Sequence, residues 1–344
     1  RSFADVAEDL PQWLNRGIAS VGHRHPTTVQ SYAIPLLMEA KDVVGIAPTG
    51  SGKTVAFAIP ALSTFDVIRD RRRNHKAEPS ILVLCPTREL TQQTKKVFMD
   101  LGAPNVVVRA AFGGMDRETQ KRHLSEGADV LIATPGRLCD FVESGDISLN
   151  HVAFFVLDEA DRMLELGFAP QLRYLVSKLP KAVFHKSSTA EQAAPLPVRR
   201  ITMMWSATWS PTVEQLATGM LDRSNRLTIE VEQNQKINKD IEQRYYAVGD
   251  GSEKFSCLLK LFVEQVIPAG SKVIIFTNHK ESTEKIAEDL LQGLSIHDSQ
   301  LIQALHGGMK QPRRDAIMRK YRSGDIRVLV ATDVAARGLD VPDI

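Results

Sequence analysis

Cysteine is nearly absent: three occur in 344 residues, at positions 85, 139 and 257, far apart and without the paired spacing of a zinc site or a disulfide framework. Reduced thiols are expected, and no structural zinc. Long hydrophobic runs are also missing, since no stretch approaches the roughly 20 apolar residues of a bilayer-spanning helix. The opening Arg1-Ser2-Phe3-Ala4-Asp5 lacks a signal peptide's apolar core. A soluble, intracellular protein with no membrane partner is expected; nothing separates nucleus or nucleolus from cytoplasm. Net charge is close to absent too. The formal total is +2, with 14 basic against 14 acidic residues in 241–344 and 29 against 27 in 1–240. Bulk electrostatics therefore gives no argument for a polyanionic partner, which would have to be held by a local track of donors. The one dense basic run, Arg69, Arg71, Arg72, Arg73, His75 and Lys76, lies in a polar stretch and reads as a solvated loop.

The chain does have a globular composition, 43% hydrophobic and 24% charged, over a length suited to two domains. Apolar, β-type runs recur between helical stretches at residues 43–46, 81–85, 106–108, 130–133, 152–157 and 203–205. That alternation predicts a mainly parallel sheet with helices on both faces. A second series follows at 245–248, 273–276, 302–305 and 328–331. Between the two, residues 229–240 are polar without a sustained amphipathic period and read as a linker. The expected fold class is therefore α/β, with one domain over 1–228 and a second over 241–344. Residues 187–197 read as a flexible, low-complexity surface insertion.

The apolar run ending at Leu157 leads directly into Asp158-Glu159-Ala160-Asp161. Carboxylates at the end of a buried strand are costly unless a cation or a reaction uses them, and ligands collect at the carboxyl ends of strands in open α/β sheets. Upstream, a short strand runs into Ala47-Pro48-Thr49-Gly50-Ser51-Gly52-Lys53-Thr54 and then into a helical stretch, the context a phosphate-binding loop requires. Gly50 and Gly52 let the backbone curl its amides toward a phosphate, and the helix N-terminus adds positive potential. Lys53 supplies a point charge and Thr54 a hydroxyl for Mg²⁺. Ala47 takes the place of the motif's first glycine. Together the motifs describe a nucleotide–Mg²⁺ site in which Thr54 and Asp158 hold the metal, largely through water, and Glu159 orients an attacking water.

With these motifs in order, the chain resembles the DEAD-box RNA helicases of superfamily 2 from Phe3 to Ile344. The resemblance implies two tandem RecA-like domains, ATP and Mg²⁺ as cofactors, and single-stranded or duplex RNA gripped through its sugar-phosphate backbone by a monomer. Gly22 to Gln30 resembles the Q motif, so Gln30 is expected on the adenine edge and Phe3 stacked on the base; His23 stands where the family usually has Phe or Tyr. Ser206-Ala207-Thr208 resembles the coupling motif, with hydroxyls able to bond Asp161. Pro86-Thr87-Arg88, Gly113-Gly114 and Thr134-Pro135-Gly136-Arg137 resemble the first-domain RNA motifs. Their hydroxyls, glycine amides and guanidinia suit phosphates rather than bases. In the second domain Gln311 and Arg314 resemble the Q-x-x-R element, and residues 331–340 match motif V, placing Thr332 on RNA and Asp333 and Asp340 near the interface and the ribose.

Family members carry an H-R-x-G-R-x-x-R element soon after motif V, and Ile344 precedes it. We therefore expect a fragment of a longer protein, with hydrolysis weakened without those arginines. The implied activity is RNA-stimulated ATP hydrolysis coupled to local unwinding or RNP remodelling. Two alternatives stay open at this point: an ATP-gated RNA clamp that hydrolyses little, and an NTPase that remodels DNA or protein.

Overall fold

The computed structural model describes residues 3, 10–63, 78–102, 106–180, 182–185, 196–231, 242–249, 251–296, 298–332 and 344. It divides into two units, Arg1–Lys236 and Ile237–Ile344. The first contains β1 (Asp42–Ile46), β2 (Ile81–Leu84), β3 (Val108–Ala111), β4 (Val130–Ala133), β5 (Phe154–Leu157), β6 (Ala182–His185), β7 (Leu196–Arg199), β8 (Ile201–Ser206) and β9 (Arg226–Glu230). One sheet runs in the order β3-β4-β2-β5-β8-β1-β9 with every neighbouring pair parallel, while β6 and β7 form a separate antiparallel hairpin. Its helices are α1 (Gln12–Ser20), α2 (Thr28–Met38), α3 (Lys53–Ser63), α4 (Arg88–Asp100), α5 (Arg117–Ser125), α6 (Pro135–Glu143), α7 (Ala160–Glu165), α8 (Ala169–Lys178) and α9 (Pro211–Met220).

Successive strand residues point to opposite faces, so the unbroken apolar runs require two cores. Val43, Val83, Ile132, Val156 and Met203 pack on one face with Leu14, Ile34, Phe57 and Phe98 of α1 to α4. Val44, Leu84, Leu131, Leu157 and Met204 pack on the other with Phe141, Met163, Leu172 and Val213 of α6 to α9. Burial on both faces explains why these strands read as continuous apolar segments rather than alternating ones.

The second unit repeats the plan with β10 (Val273–Thr277), β11 (Ile302–Leu305) and β12 (Val328–Thr332), ordered β10-β12-β11 and parallel. Helices α10 (Gly251–Val263), α11 (Lys280–Gly293) and α12 (Gln311–Ser323) flank it. Leu305, Leu329 and Ala331 meet Ile317 and Tyr321 of α12 on one face. Ile302, Val328 and Val330 meet Ala287 and Leu290 of α11 on the other. The architecture is two α/β units with parallel sheets and helices on both faces.

Several local expectations need correcting. The third strand forms at Val108–Ala111 rather than 106–108. Residues 245–248 form no strand, and Tyr245 is 87% exposed. The linker reading of 229–240 begins inside β9, whose Ile229 and Glu230 pair with Gly45 and Ile46; residues 232–240 lie outside the described set. Within the insertion read at 187–197, Leu196 and Pro197 belong to β7, and the remainder lies outside the described residues, as does the basic run 69–76. Among the described residues no helix is long and apolar enough to cross a membrane.

Candidate functional site

Because the first sheet is wholly parallel, its loops after the strands emerge along one carboxyl edge. From β3 through β4 to β2 that edge carries Gly113-Gly114, Thr134 to Arg137 and Pro86 to Arg88. From β5 through β8 to β1 it carries Asp158 to Asp161, Ser206 to Thr208, and Thr49 to Thr54. The strand order therefore sorts the expected first-domain residues into two adjacent stretches.

After β1 the chain turns through Gly50 and Gly52, with φ of 77° and 89°, before α3 starts at Lys53. Gly52 is also crowded: a Cβ there would lie 2.5 Å from Gln30 Nε2 and would displace that amide. Lys53 is buried, and its ammonium donates to the carbonyls of Ala47 at 2.9 Å and Pro48 at 3.0 Å. Those bonds fold the lysine over its own loop. Ser51 Oγ donates to Pro48 O at 2.9 Å, whereas Thr49 and Gly50 are exposed at the tip.

Gln30 abuts this loop. Its Nε2 donates to Gly52 O at 3.1 Å and its Oε1 accepts from Thr27 N at 2.9 Å. One N–H and one lone pair of the amide remain for another partner. Thr27 completes the link by donating to Ser51 O at 2.8 Å. Sequence reasoning passed over Thr27, although Thr27-x-x-Gln30 spells a capping box, which α2 forms. Phe3 is 6% exposed and belongs to the core, its ring centroid 6.4 Å from His23. Its ring is thus mostly covered by protein rather than displayed for stacking.

Asp158 follows β5, donating its N–H to Leu84 O at 2.9 Å. The carboxyl is buried, and Oδ1 has no hydrogen-bond partner among the described residues. Burial pushes its pKa up to about 7, against the opposing pull of the Lys53 charge. Glu159 has φ 55° and ψ 56°, left-handed backbone that a side chain bearing a Cβ adopts at a cost. That turn starts α7 and brings Asp161 to the loop after β8. Asp161 Oδ2 accepts from Thr208 N at 2.9 Å and Thr208 Oγ1 at 2.8 Å. Ser206 does not share the bond expected of it: its Oγ donates to Thr208 O at 2.7 Å, closing the turn that presents Thr208.

The donor set fits Mg²⁺. Among the described residues no group of three or more His, Cys, Asp or Glu is arranged to hold a metal. Mg²⁺ usually takes one or two carboxylates, with waters and substrate phosphates completing the octahedron. An orphaned, buried Asp158 oxygen at the phosphate loop's edge matches that demand.

In the other stretch, Pro86 is buried and Thr87 caps α4, its hydroxyl accepting from Leu90 N at 3.2 Å. The Arg88 guanidinium lies 4.9 Å from the Phe112 ring centroid. Thr134 is the N-cap of α6 but its side chain makes no capping bond, and Pro135 opens the helix. A Cβ on Gly136 would meet nothing within 4 Å, so backbone there is open to approach. Arg137 Nη2 donates to Met115 O at 3.3 Å, tying this loop to the glycine turn. In the second unit, Gln311 and Arg314 lie in the first turn of α12 after β11, and Thr332 ends β12. Asp333 and Asp340 lie outside the described residues.

A parallel sheet whose carboxyl edge sets a glycine-bearing phosphate loop beside a buried carboxylate belongs to the class of P-loop nucleotide-binding proteins. Comparison narrows the class. The DEAD/DEAH box helicase family matches residues 27–216, more than half the chain, and the helicase conserved C-terminal domain matches 253–344. The chain belongs to the DEAD/DEAH box helicase family. DEAD-box ATP-dependent RNA helicase 14 of Arabidopsis thaliana is 38% identical over 98% of this chain and 50% of its own length. ATP-dependent RNA helicase-like protein DB10 of Nicotiana sylvestris is 36% identical over 98% and 51%. The structure of S. cerevisiae Dbp5 bound to RNA and ADP BeF3 is similar with a TM-score of 0.78 at 26% identity, covering 98% of this chain and 78% of that one. The chain thus spans about half the length of these two curated relatives.

Proposed function

We propose that the protein is an ATP-dependent RNA helicase that hydrolyses ATP in response to RNA and uses the turnover to separate short duplexes or remodel RNA–protein complexes. The observation that carries this reading is the division of one sheet edge: phosphate loop and acids after β1, β5 and β8, hydroxyls, glycine amides and guanidinia after β2, β3 and β4. The family membership supports it, and so does the RNA and ADP BeF3 bound by the similar Dbp5.

On this reading the amides of Gly50 to Thr54 and the N-terminus of α3 cradle the nucleotide's phosphates, and Lys53 turns from the carbonyls of Ala47 and Pro48 to meet them. Gln30 uses its spare N–H and lone pair on the adenine edge, while Asp340 serves the ribose. Thr54 and Asp158 would hold Mg²⁺, largely through water, and the ion would supply positive charge to offset that of the phosphates. Glu159, fixed by its left-handed backbone, orients the attacking water. The bonds from Thr208 to Asp161 carry the state of the acids to the neighbouring loop. Pro86, Thr87, Arg88, Gly113, Gly114, Thr134, Pro135, Gly136 and Arg137 in the first unit, with Gln311, Arg314 and Thr332 in the second, track the sugar-phosphate backbone without reading bases.

The test is ATP turnover with matched RNA and DNA strands, beside separation of a short labelled duplex. RNA is expected to stimulate turnover and DNA to leave it flat. Equal stimulation, or turnover indifferent to RNA, would sink the proposal.

A further inference from the structure

Gln120 is polar yet 3% exposed, at the fourth position of α5. A buried amide must find partners for its donors and acceptor, and the ones it takes lie in the preceding loop. Oε1 accepts from Phe112 N at 2.9 Å, while Nε2 donates to Phe112 O at 3.0 Å and, at longer range, to Met115 O at 3.5 Å. The side chain thus pairs with both main-chain groups of Phe112, as a neighbouring strand would. It does so just beyond the end of β3, the strand at one edge of the sheet.

Between the two residues Gln120 grips stand Gly113 and Gly114. Both are exposed, a Cβ on Gly113 would meet nothing within 4 Å, and Gly114 has φ 80°. Both glycines stand exposed to solvent, so the turn's form depends on how its ends are held. Met115 O also accepts from Arg137 Nη2, and Asp116 Oδ2 accepts from Thr119 N at 2.7 Å to start α5. The helix is itself anchored, because Arg117 and Lys121 both reach Asp146 at 2.7 Å. Hydrogen bonding from Lys121 foremost holds the Asp146 carboxyl down at about 2, so the anchor stays charged at neutral pH.

We propose that Gln120 is a positioning residue for RNA, holding the Gly113-Gly114 turn in the form that offers its amides to a backbone phosphate. The proposal rests on the RNA-helicase reading above. A turn fixed beforehand loses less conformational freedom on binding, so releasing it weakens affinity without touching the nucleotide loop.

Gln120→Met keeps length and removes both bonds to Phe112; Gln120→Glu keeps an acceptor for Phe112 N but sets an oxygen against the Phe112 carbonyl. Three readouts are needed on the protein: half-saturation of ATPase by RNA, binding of a fluorescent ATP analogue without RNA, and hydrogen exchange at amides 113–115 without RNA. Both variants are expected to raise RNA half-saturation about tenfold, as loosening one or two residues implies, with faster exchange at 113–115 and unchanged analogue affinity. Turnover at saturating RNA is expected to recover, which a general folding defect would not allow. Unchanged exchange overturns this proposal alone, and so does faster exchange with unaltered RNA half-saturation or an equal loss of analogue binding. A wild-type protein that binds no RNA overturns the functional reading and this proposal with it. Gln120→Glu keeps the question open to test if Gln120→Met does not fold.

Discussion

Gly45 and Trp205 lie opposite each other in the β1–β8 ladder, and a Cβ on Gly45 would fall 1.8 Å from Cζ3 of the indole. Glycine inside a strand weakens it unless something must come close, and here a fully buried Trp205 ring does. The contact sits one residue from the end of β1 and one before Ser206, beneath both the phosphate loop and the coupling turn.

Gly45→Ala is therefore expected to destabilise the first unit by about 1–3 kcal/mol, the usual range for overpacking. Nucleotide affinity should fall as well, since the displaced strand feeds the loop. Chemical denaturation of Gly45→Ala, Trp205→Leu and the double variant checks it. The double variant should be more stable than the sum of the two losses predicts, because removing the ring makes room for the methyl. Strict additivity would mean the two side chains do not oppose each other.

Thr208→Val removes the hydroxyl donor to Asp161 while leaving the backbone N–H bond in place. The site is exposed, so stability should change by only about 1 kcal/mol or less. The functional effect should be larger and selective: ATP binding retained, RNA-stimulated turnover and strand separation reduced. Equal loss of ATP binding and strand separation would place Thr208 in nucleotide binding instead. Ser206→Ala should weaken the same step indirectly, by loosening the turn closed on the Thr208 carbonyl.

Glu159 tests chemistry and strain together. Glu159→Gln should bind ATP and lower turnover by at least about 100-fold, the loss expected when a group that orients water is neutralised. Glu159→Gly should lose activity equally but gain about 1 kcal/mol of stability, because glycine adopts left-handed backbone freely. Calorimetry on the two variants separates the effects. A Glu159→Gly protein no more stable than Glu159→Gln would show that the left-handed turn costs nothing.

The parts of this site that were legible in the sequence are those whose signal is local. A glycine-bearing loop between strand and helix, and acids ending a doubly covered strand, announce themselves through neighbouring residues. The edge strand β9 was missed because only Ile229 of its five residues is buried, too few to write a pattern. Residues 245–248 mislead in the opposite sense, being rich in β-formers while 245–247 are exposed. Gln120 looks like any helix-surface glutamine, and only its distance to Phe112 shows otherwise. Ser206 and Thr208 stand together in sequence, but which hydroxyl reaches Asp161 depends on the turn between them. Strand order is non-local as well, and it is strand order that divides the edge into its two stretches.

Asp158 makes stability depend on pH, and burial sets the direction. In the unfolded chain its carboxyl titrates near the ordinary value of 3.8, and in the fold burial raises it to about 7. Between those values the folded state holds a proton that the unfolded state has lost, so this residue's contribution to stability falls as pH rises through that window and levels off above it. The slope is at most about 1.4 kcal/mol per pH unit. Asp158→Asn, neutral throughout, removes the dependence, so the variant should gain on wild type steadily between about pH 4 and 7 when unfolding is followed without nucleotide or Mg²⁺. Added Mg²⁺ with a nucleotide should narrow the gap at neutral pH in wild type only, because a cation relieves the buried charge that the asparagine never carries. Parallel pH profiles for the two proteins would show that Asp158 is hydrated in solution and that its burial does not cost what the geometry implies.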